Sequence, residues 1–240
     1  DFFNKIIKRT ILLQAQKRQC RSQIHNLDLW NLKSNHKNHI EINGLDVVEL
    51  INNYGTPLFV VNNKQLCKDI TDIKKAMSPA PIGSKILFSY KTNCIPGILR
   101  EIHNNKIGAE VISPYELWVA KKMGVAGDMI VYNGVNKTEE SIVDAINMNI
   151  LSINIDNLSE IEKISRIANK LKKRVSVGIR LGLVNSDQFG LEIESGEAME
   201  ACKKIISHND YFDLKCVHFN VTSNAKNALY HTKSAIRAIK

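Results

Sequence analysis

From about residue 45 onward, short apolar runs rich in β-branched residues alternate with longer amphipathic stretches, and the order repeats with little variation. Brevity and apolar density predict strands at 57–62 (PLFVVN), 85–90 (KILFSY), 108–112 (GAEVI), 129–132 (MIVY), 150–154 (ILSIN), 174–180 (RVSVGIR) and 213–219 (DLKCVHF). Between them, apolar positions recur at helical spacing near 64–77, 95–104, 114–123, 137–147, 157–172, 196–207 and 225–239. Ser113 before Pro114, Asn157 and Ser195 supply helix start signals for three of these. Strict alternation of strand and helix builds a parallel sheet covered by helices, either doubly wound or closed as a (β/α)8 barrel. Seven units in a row favour the barrel. A doubly wound nucleotide binder should open on a glycine-rich turn, and neither G-x-G-x-x-G nor G-x-x-x-x-G-K-[ST] occurs.

Composition adds less than pattern does. With 240 residues, 44% of them hydrophobic and 24% charged, the chain has the balance of a folded protein rather than a disordered one. The net charge of +9 suggests nucleic acid until its distribution is considered. Residues 1–40 hold eight bases and two acids, whereas the other 200 hold 25 bases against 22 acids. A near-neutral body behind a basic leader lacks the continuous positive surface that phosphate tracking needs, so no nucleic-acid partner is expected. The leader, residues 1–40, is expected as a basic helical extension, with Phe3, Ile6, Ile7 and Leu13 on one helix face; a surface helix, a transit peptide and a membrane-surface helix all fit it. No apolar run approaches the roughly 18 residues of a membrane span. Five cysteines, Cys20, Cys67, Cys94, Cys202 and Cys216, are odd in number and contain no C-x-x-C pair, which fits a reducing cytoplasm and offers no zinc site. The sequence starts at Asp1, so it is expected to be processed or a piece of a longer chain.

In a parallel barrel the reactive groups stand at the carboxyl ends of strands. Those positions here are Lys91, Glu110, Asn133 with Gly134, Arg180, and Asn220 with Thr222 and Ser223. Lys91 follows the apolar run Ile86 to Tyr90, where desolvation at the rim would free its amine as a nucleophile towards an aldehyde. A lone Lys at a strand end is more often a salt-bridged surface residue, and spacing alone does not choose between the roles, with Glu110 as ion-pair partner or as orienter.

Eight blocks in order carry a resemblance: YGTPLFVV at 54–61, SYKTN at 89–93, GAEVISPYEL at 108–117, IVYNGVNKTEE at 130–140, INIDNLSEIEKI at 153–164, VGIRLG at 177–182, QFGLEI at 188–193 and CVHFNVTSN at 216–224. Over about residues 40–240 the chain resembles the pyridoxal-phosphate decarboxylases of the alanine-racemase fold, and among them the diaminopimelate decarboxylases. The resemblance implies an α/β fold, a (β/α)8 TIM barrel over residues 41–240 that binds pyridoxal 5′-phosphate. That barrel is expected to be incomplete, its last strands and the family's C-terminal β-domain lying beyond the blocks. It implies that Lys91 joins the cofactor covalently, that Asn93, Glu110, Arg180 and Ser223 help hold it, and that the substrate is a small amino acid, with a homodimer in the full-length form. Two departures stand out. Where the family has a His stacked on the cofactor ring and a Gly two residues on, this chain has Asn220 and Thr222. His218, on the same strand face one step deeper, is open to two readings, a partial substitute or a core histidine. These departures keep a non-catalytic cofactor-binding homologue, or a decarboxylase of ornithine, lysine or arginine, beside the leading expectation of meso-diaminopimelate conversion to L-lysine.

Overall fold

The computed structural model describes residues 32–80, 83–182, 189–208, 210–220 and 229–239. Of the basic helical extension expected over residues 1–40, residues 1–31 lie outside them, and Leu32–Ser34 is a strand rather than helix. The chain parts into two units between Asp72 and Ile73.

In the first unit β1 (Leu32–Ser34), β2 (Ile40–Ile42) and β3 (Leu45–Asp46) form an antiparallel meander, followed by α1 (Val47–Tyr54). Asp46 ends the meander and starts the helix: its Oδ1 accepts from Val48 N at 2.8 Å, and its Oδ2 accepts from Asn35 Nδ2 at 2.9 Å. Strands this short leave no periodic trace in sequence, and none of these elements was expected. Conversely, the strand expected at 57–62 does not form. Phe59 is 94% exposed and the segment has no ladder partner among the described residues, so its β-branched composition has nothing to pair with.

Helix α2 (Asn63–Met77) leads into the second unit. There β4 (Leu87–Ser89), α3 (Pro96–Asn104), β5 (Gly108–Val111), α4 (Pro114–Lys122), β6 (Ile130–Tyr132), α5 (Glu139–Asn147), β7 (Ser152–Ile155), α6 (Leu158–Leu171), β8 (Val175–Gly182), β9 (Leu191–Glu192), α7 (Glu197–Ser207), β10 (Phe212–Phe219) and α8 (Leu229–Ile239) follow one another. The sheet runs β4-β5-β6-β7-β8-β10, every neighbour parallel, with β9 pairing only with β8. A doubly wound sheet reverses its strand order at a switch point. Here, β9 apart, each strand is laid beside the one before it without reversal, which with right-handed crossovers puts the helices on one face and curls the sheet as a barrel.

Alternation within the strands divides the two faces. Ala109, Val111, Ile130, Tyr132, Ile153, Ile155, Val177 and Ile179 are buried in one cluster with Leu117, Ile142, Ile161 and Ile164 of the helices. The intervening positions, Glu110, Asn133, Ser152, Asn154, Arg180, Cys216 and His218, face the other way and are polar. Helix starts are fixed locally. Ser113 Oγ accepts from Glu116 N at 3.2 Å while Glu116 reaches back to Ile112 N at 2.7 Å, and Asn157 with Glu160 repeats the arrangement. The expected start at Ser195 shifts by one residue: Gly196 is the cap, and the Ser195 hydroxyl accepts from Glu197 N at 3.4 Å.

Candidate functional site at the carboxyl ends of the strands

Register places the inward-facing residues in levels. Asn154, Gly178 and Cys216 lie side by side on β7, β8 and β10, and Asn133 stands next to Asn154 just past β6. One level nearer the carboxyl ends are Asp156, Arg180 and His218. The deeper level is a chain of hydrogen bonds. Ser89 Oγ donates to Glu110 Oε2, Asn133 Nδ2 donates to Glu110 Oε1 at 2.7 Å, and Asn154 Nδ2 donates to Asn133 Oδ1 at 2.6 Å. Ser152 Oγ donates to Asn154 Oδ1 at 2.8 Å, and Cys216 Sγ lies 3.3 Å from the same oxygen. Five strands are thereby tied across the interior, and each buried amide is used on both its donor and acceptor sides.

Gly178 makes the room for that chain. A Cβ there would sit 2.2 Å from Asn154 Oδ1 and 2.4 Å from Cys216 Sγ. Gly178→Ala is therefore expected to destabilise the fold by about 1–3 kcal/mol, the usual cost of overpacking a filled interior. Urea unfolding followed by fluorescence measures it, and an unchanged midpoint would mean that the interior yields freely.

At the upper level Arg180 Nη1 donates to Asp156 Oδ1 at 3.0 Å, with both side chains largely buried, and the guanidinium lies 4.9 Å from the centre of the Phe189 ring. A cation paired with a buried carboxylate and packed against an aromatic ring has little freedom left. Lys91, two residues beyond β4, is exposed rather than desolvated, and among the described residues it makes no ion pair. Of the two roles open to Glu110, partner to Lys91 or orienter, the carboxylate is committed to Ser89 and Asn133 instead. The Lys91 ammonium is still near enough to act on Glu116 and His218: it opposes the upward push that burial gives the Glu116 carboxyl, and it adds to the downward push that burial and Arg180 give the His218 imidazole. Asn93 Oδ1 accepts from Ile95 N at 3.0 Å and so shapes the turn carrying the chain from Lys91 into α3. Asn220 is exposed immediately after β10. Ser223 and Thr222 lie outside the described residues.

The geometry thus brings Lys91, Glu110, Arg180 and His218 to one end of one barrel. Comparison with known proteins decides what kind of barrel it is. Residues 63–240 match the family described as pyridoxal-dependent decarboxylase, pyridoxal binding domain. The chain belongs to that family. Among its relatives within the pyridoxal-dependent decarboxylases, the diaminopimelate decarboxylase of Methanocaldococcus jannaschii is 31% identical, the match covering 76% of this chain and 45% of that protein. The Aquifex aeolicus diaminopimelate decarboxylase is 33% identical over 58% of this chain and 32% of its own length. The crystal structure of the M. jannaschii enzyme superposes with a TM-score of 0.75 at 28% identity, covering 83% of this chain and 50% of that one. The chain spans about half the length of the relatives it matches, and the fold is that of the barrel domain of these pyridoxal-dependent decarboxylases.

Sequence reasoning missed three participants. Asp156, which holds Arg180, and the buried pair of Lys137 with Glu160 behind the barrel mouth were not singled out, nor was Asn154. The signal was present for Asn154: in the run Ser152-Ile153-Asn154-Ile155-Asp156, polar residues occupy every second position of an otherwise apolar strand, which marks a polar inward face.

Proposed function

We propose that this chain is the cofactor-binding barrel of a pyridoxal-phosphate-dependent amino-acid decarboxylase, a carboxy-lyase converting meso-diaminopimelate to L-lysine and CO2. The observation that carries the proposal is the exposed amine of Lys91 standing past the end of β4, at the same end of the barrel as a fixed cation and a closed polar network, in a member of the pyridoxal-binding family. The donor set fits the cofactor: a primary amine for its aldehyde, the Arg180 guanidinium for an anionic group, and a buried imidazole nitrogen that no atom of the described residues satisfies. The relatives named above support this choice of substrate, and one of them was also crystallised with L-lysine.

When bound, pyridoxal phosphate supplies the electron sink for the charge left on carbon as CO2 departs. The protein's own residues do the rest. Lys91 offers the attachment point. Arg180, held by Asp156, presents a positive charge that need not reorganise when an anionic ligand arrives. Glu110, clamped by Ser89 and Asn133, keeps a carboxylate at a set depth beneath the mouth. A homodimer working in the cytoplasm belongs to the same reading. The cytoplasmic part of that reading is supported by the thiols of Cys94, Cys202 and Cys216, which form no disulfide among the described residues. No helix among the described residues is long and apolar enough to cross a membrane.

The test has two parts. Borohydride reduction of the 240-residue chain mixed with pyridoxal phosphate should leave the pyridoxyl mass on the peptide containing Lys91. Release of labelled CO2 should then be found with meso-diaminopimelate and not with ornithine, lysine or arginine. A label on other lysines alone would remove the cofactor assignment, and CO2 from a different amino acid would replace the substrate.

A further inference from the structure

His218 occupies its place because β10 is irregular. Leu214 pairs with Val177 on β8 and Cys216 with Gly178, so Lys215 is the extra residue of a bulge. In an unbroken register Val217 would face Arg180. The bulge instead sets His218 opposite Arg180 and turns Val217, 49% exposed, to the other side. Bulges of this kind re-aim side chains next to functional sites.

The re-aimed imidazole is left incomplete. Its neighbours on the same face are all satisfied: Arg180 by Asp156, Glu110 by Ser89 and Asn133, Asn154 by Asn133 and Ser152. His218 Nδ1 is buried and, among the described residues, is the only buried side-chain nitrogen or oxygen without a hydrogen-bond partner. A buried polar atom left unpaired costs about 1–3 kcal/mol, so a site that otherwise closes every bond holds one open at the level of the cation. Burial and the Arg180 charge both push the imidazole's pKa down, so it meets a ligand as a neutral ring.

We infer that His218 is a ligand contact of the barrel mouth, giving its Nδ1 to a polar atom of the bound pyridoxal cofactor, in place of any ring contact from the exposed Asn220. The inference rests on the cofactor reading above and adds to it a residue held two positions earlier on the strand and one level deeper.

Pyridoxal 5′-phosphate is titrated into the 240-residue chain and into His218→Phe and His218→Gln, with binding read by equilibrium dialysis and by absorbance. Thermal unfolding of each chain is recorded without cofactor. His218→Phe should weaken binding about tenfold, the factor that one lost buried hydrogen bond carries, while raising the midpoint of the cofactor-free chain because the unpaired atom is gone. His218→Gln, which keeps a polar atom, should recover part of the affinity. A histidine that only fills space would give the opposite pattern in His218→Phe, an unchanged affinity with a lowered or unmoved midpoint, and that result overturns the inference. If the parent chain binds no pyridoxal phosphate, the proposed function and this inference fall together. If the parent binds it through Lys91 and His218→Phe binds it equally well, only this inference falls.

Discussion

Lys91→Ala is expected to abolish the visible or near-ultraviolet band that pyridoxal phosphate acquires on mixing with the parent chain, while leaving thermal stability almost unchanged. The two halves of that result come from different features of one residue. The amine stands exposed past the end of β4 and makes no ion pair among the described residues, so removing it deletes no contact that folding depends on. Surface changes of this kind stay within about 0.5 kcal/mol, which for a chain of this size is a shift of about 2 °C or less. Chemically, though, Lys91 is an exposed amine just past a strand end, and its charge reaches His218. Lys91→Arg sharpens the test, because a guanidinium keeps the positive charge yet stays protonated and cannot attack an aldehyde. It should retain non-covalent binding and lose the band. A band that survives in Lys91→Ala, or a collapse of stability in either variant, would show that Lys91 serves the fold and not the cofactor.

The legible part of this site was the part written in local pattern. Six of the seven expected strands and all seven expected helices are present with ends within about four residues, because apolar period and helix caps such as Ser113 and Asn157 act within a few residues of chain. The exception, 57–62, has the composition of a strand, but a strand also needs a neighbour, and composition does not supply one. Lys91, Glu110 and Arg180 could be placed at strand ends from sequence because the strands themselves were legible, and strand ends concentrate chemistry in a parallel barrel. What they touch was not found, since the partner of each lies across strands rather than along one: Glu110 is bound by Asn133, 23 residues on, and Arg180 by Asp156, 24 residues back. The bulge at Lys215 is invisible in the run Asp213 to Phe219, which reads as an ordinary alternating strand. Only register reveals that it selects His218 rather than Val217 for the site.

Glu160→Ala is expected to be the most destabilising single change, at about 3–5 kcal/mol, because it strands a charge that has no route to solvent. Lys137 is fully buried; its Nζ donates to Gly134 O at 2.5 Å and lies 3.1 Å from both carboxylate oxygens of Glu160, itself 2% exposed. Glu160 also accepts from Asp156 N at 2.9 Å, so it ties the start of α6 to the residue that holds Arg180. Glu160→Gln separates these duties, since the amide can still accept from Asp156 N but carries no charge. Burial pushes the pKa of Lys137 down, and Glu160 is the main group opposing it. With that opposition removed, the folded-state pKa falls further below the unfolded value of about 10.4. The unfolded chain then binds more protons than the folded one over the interval between the two values, so stability rises with pH there. The deficit of Glu160→Gln, measured by urea unfolding at about pH 6 and at about pH 9, should accordingly be smaller at the higher pH, because the parent, in which Glu160 opposes the downward shift of Lys137, gains less as pH rises. The double variant Lys137→Met with Glu160→Gln should recover most of the loss, because it leaves no charge to bury. A deficit under about 1 kcal/mol that is the same at both pH values would mean that water reaches Lys137, and that this pair does not brace the Asp156 and Arg180 side of the barrel mouth.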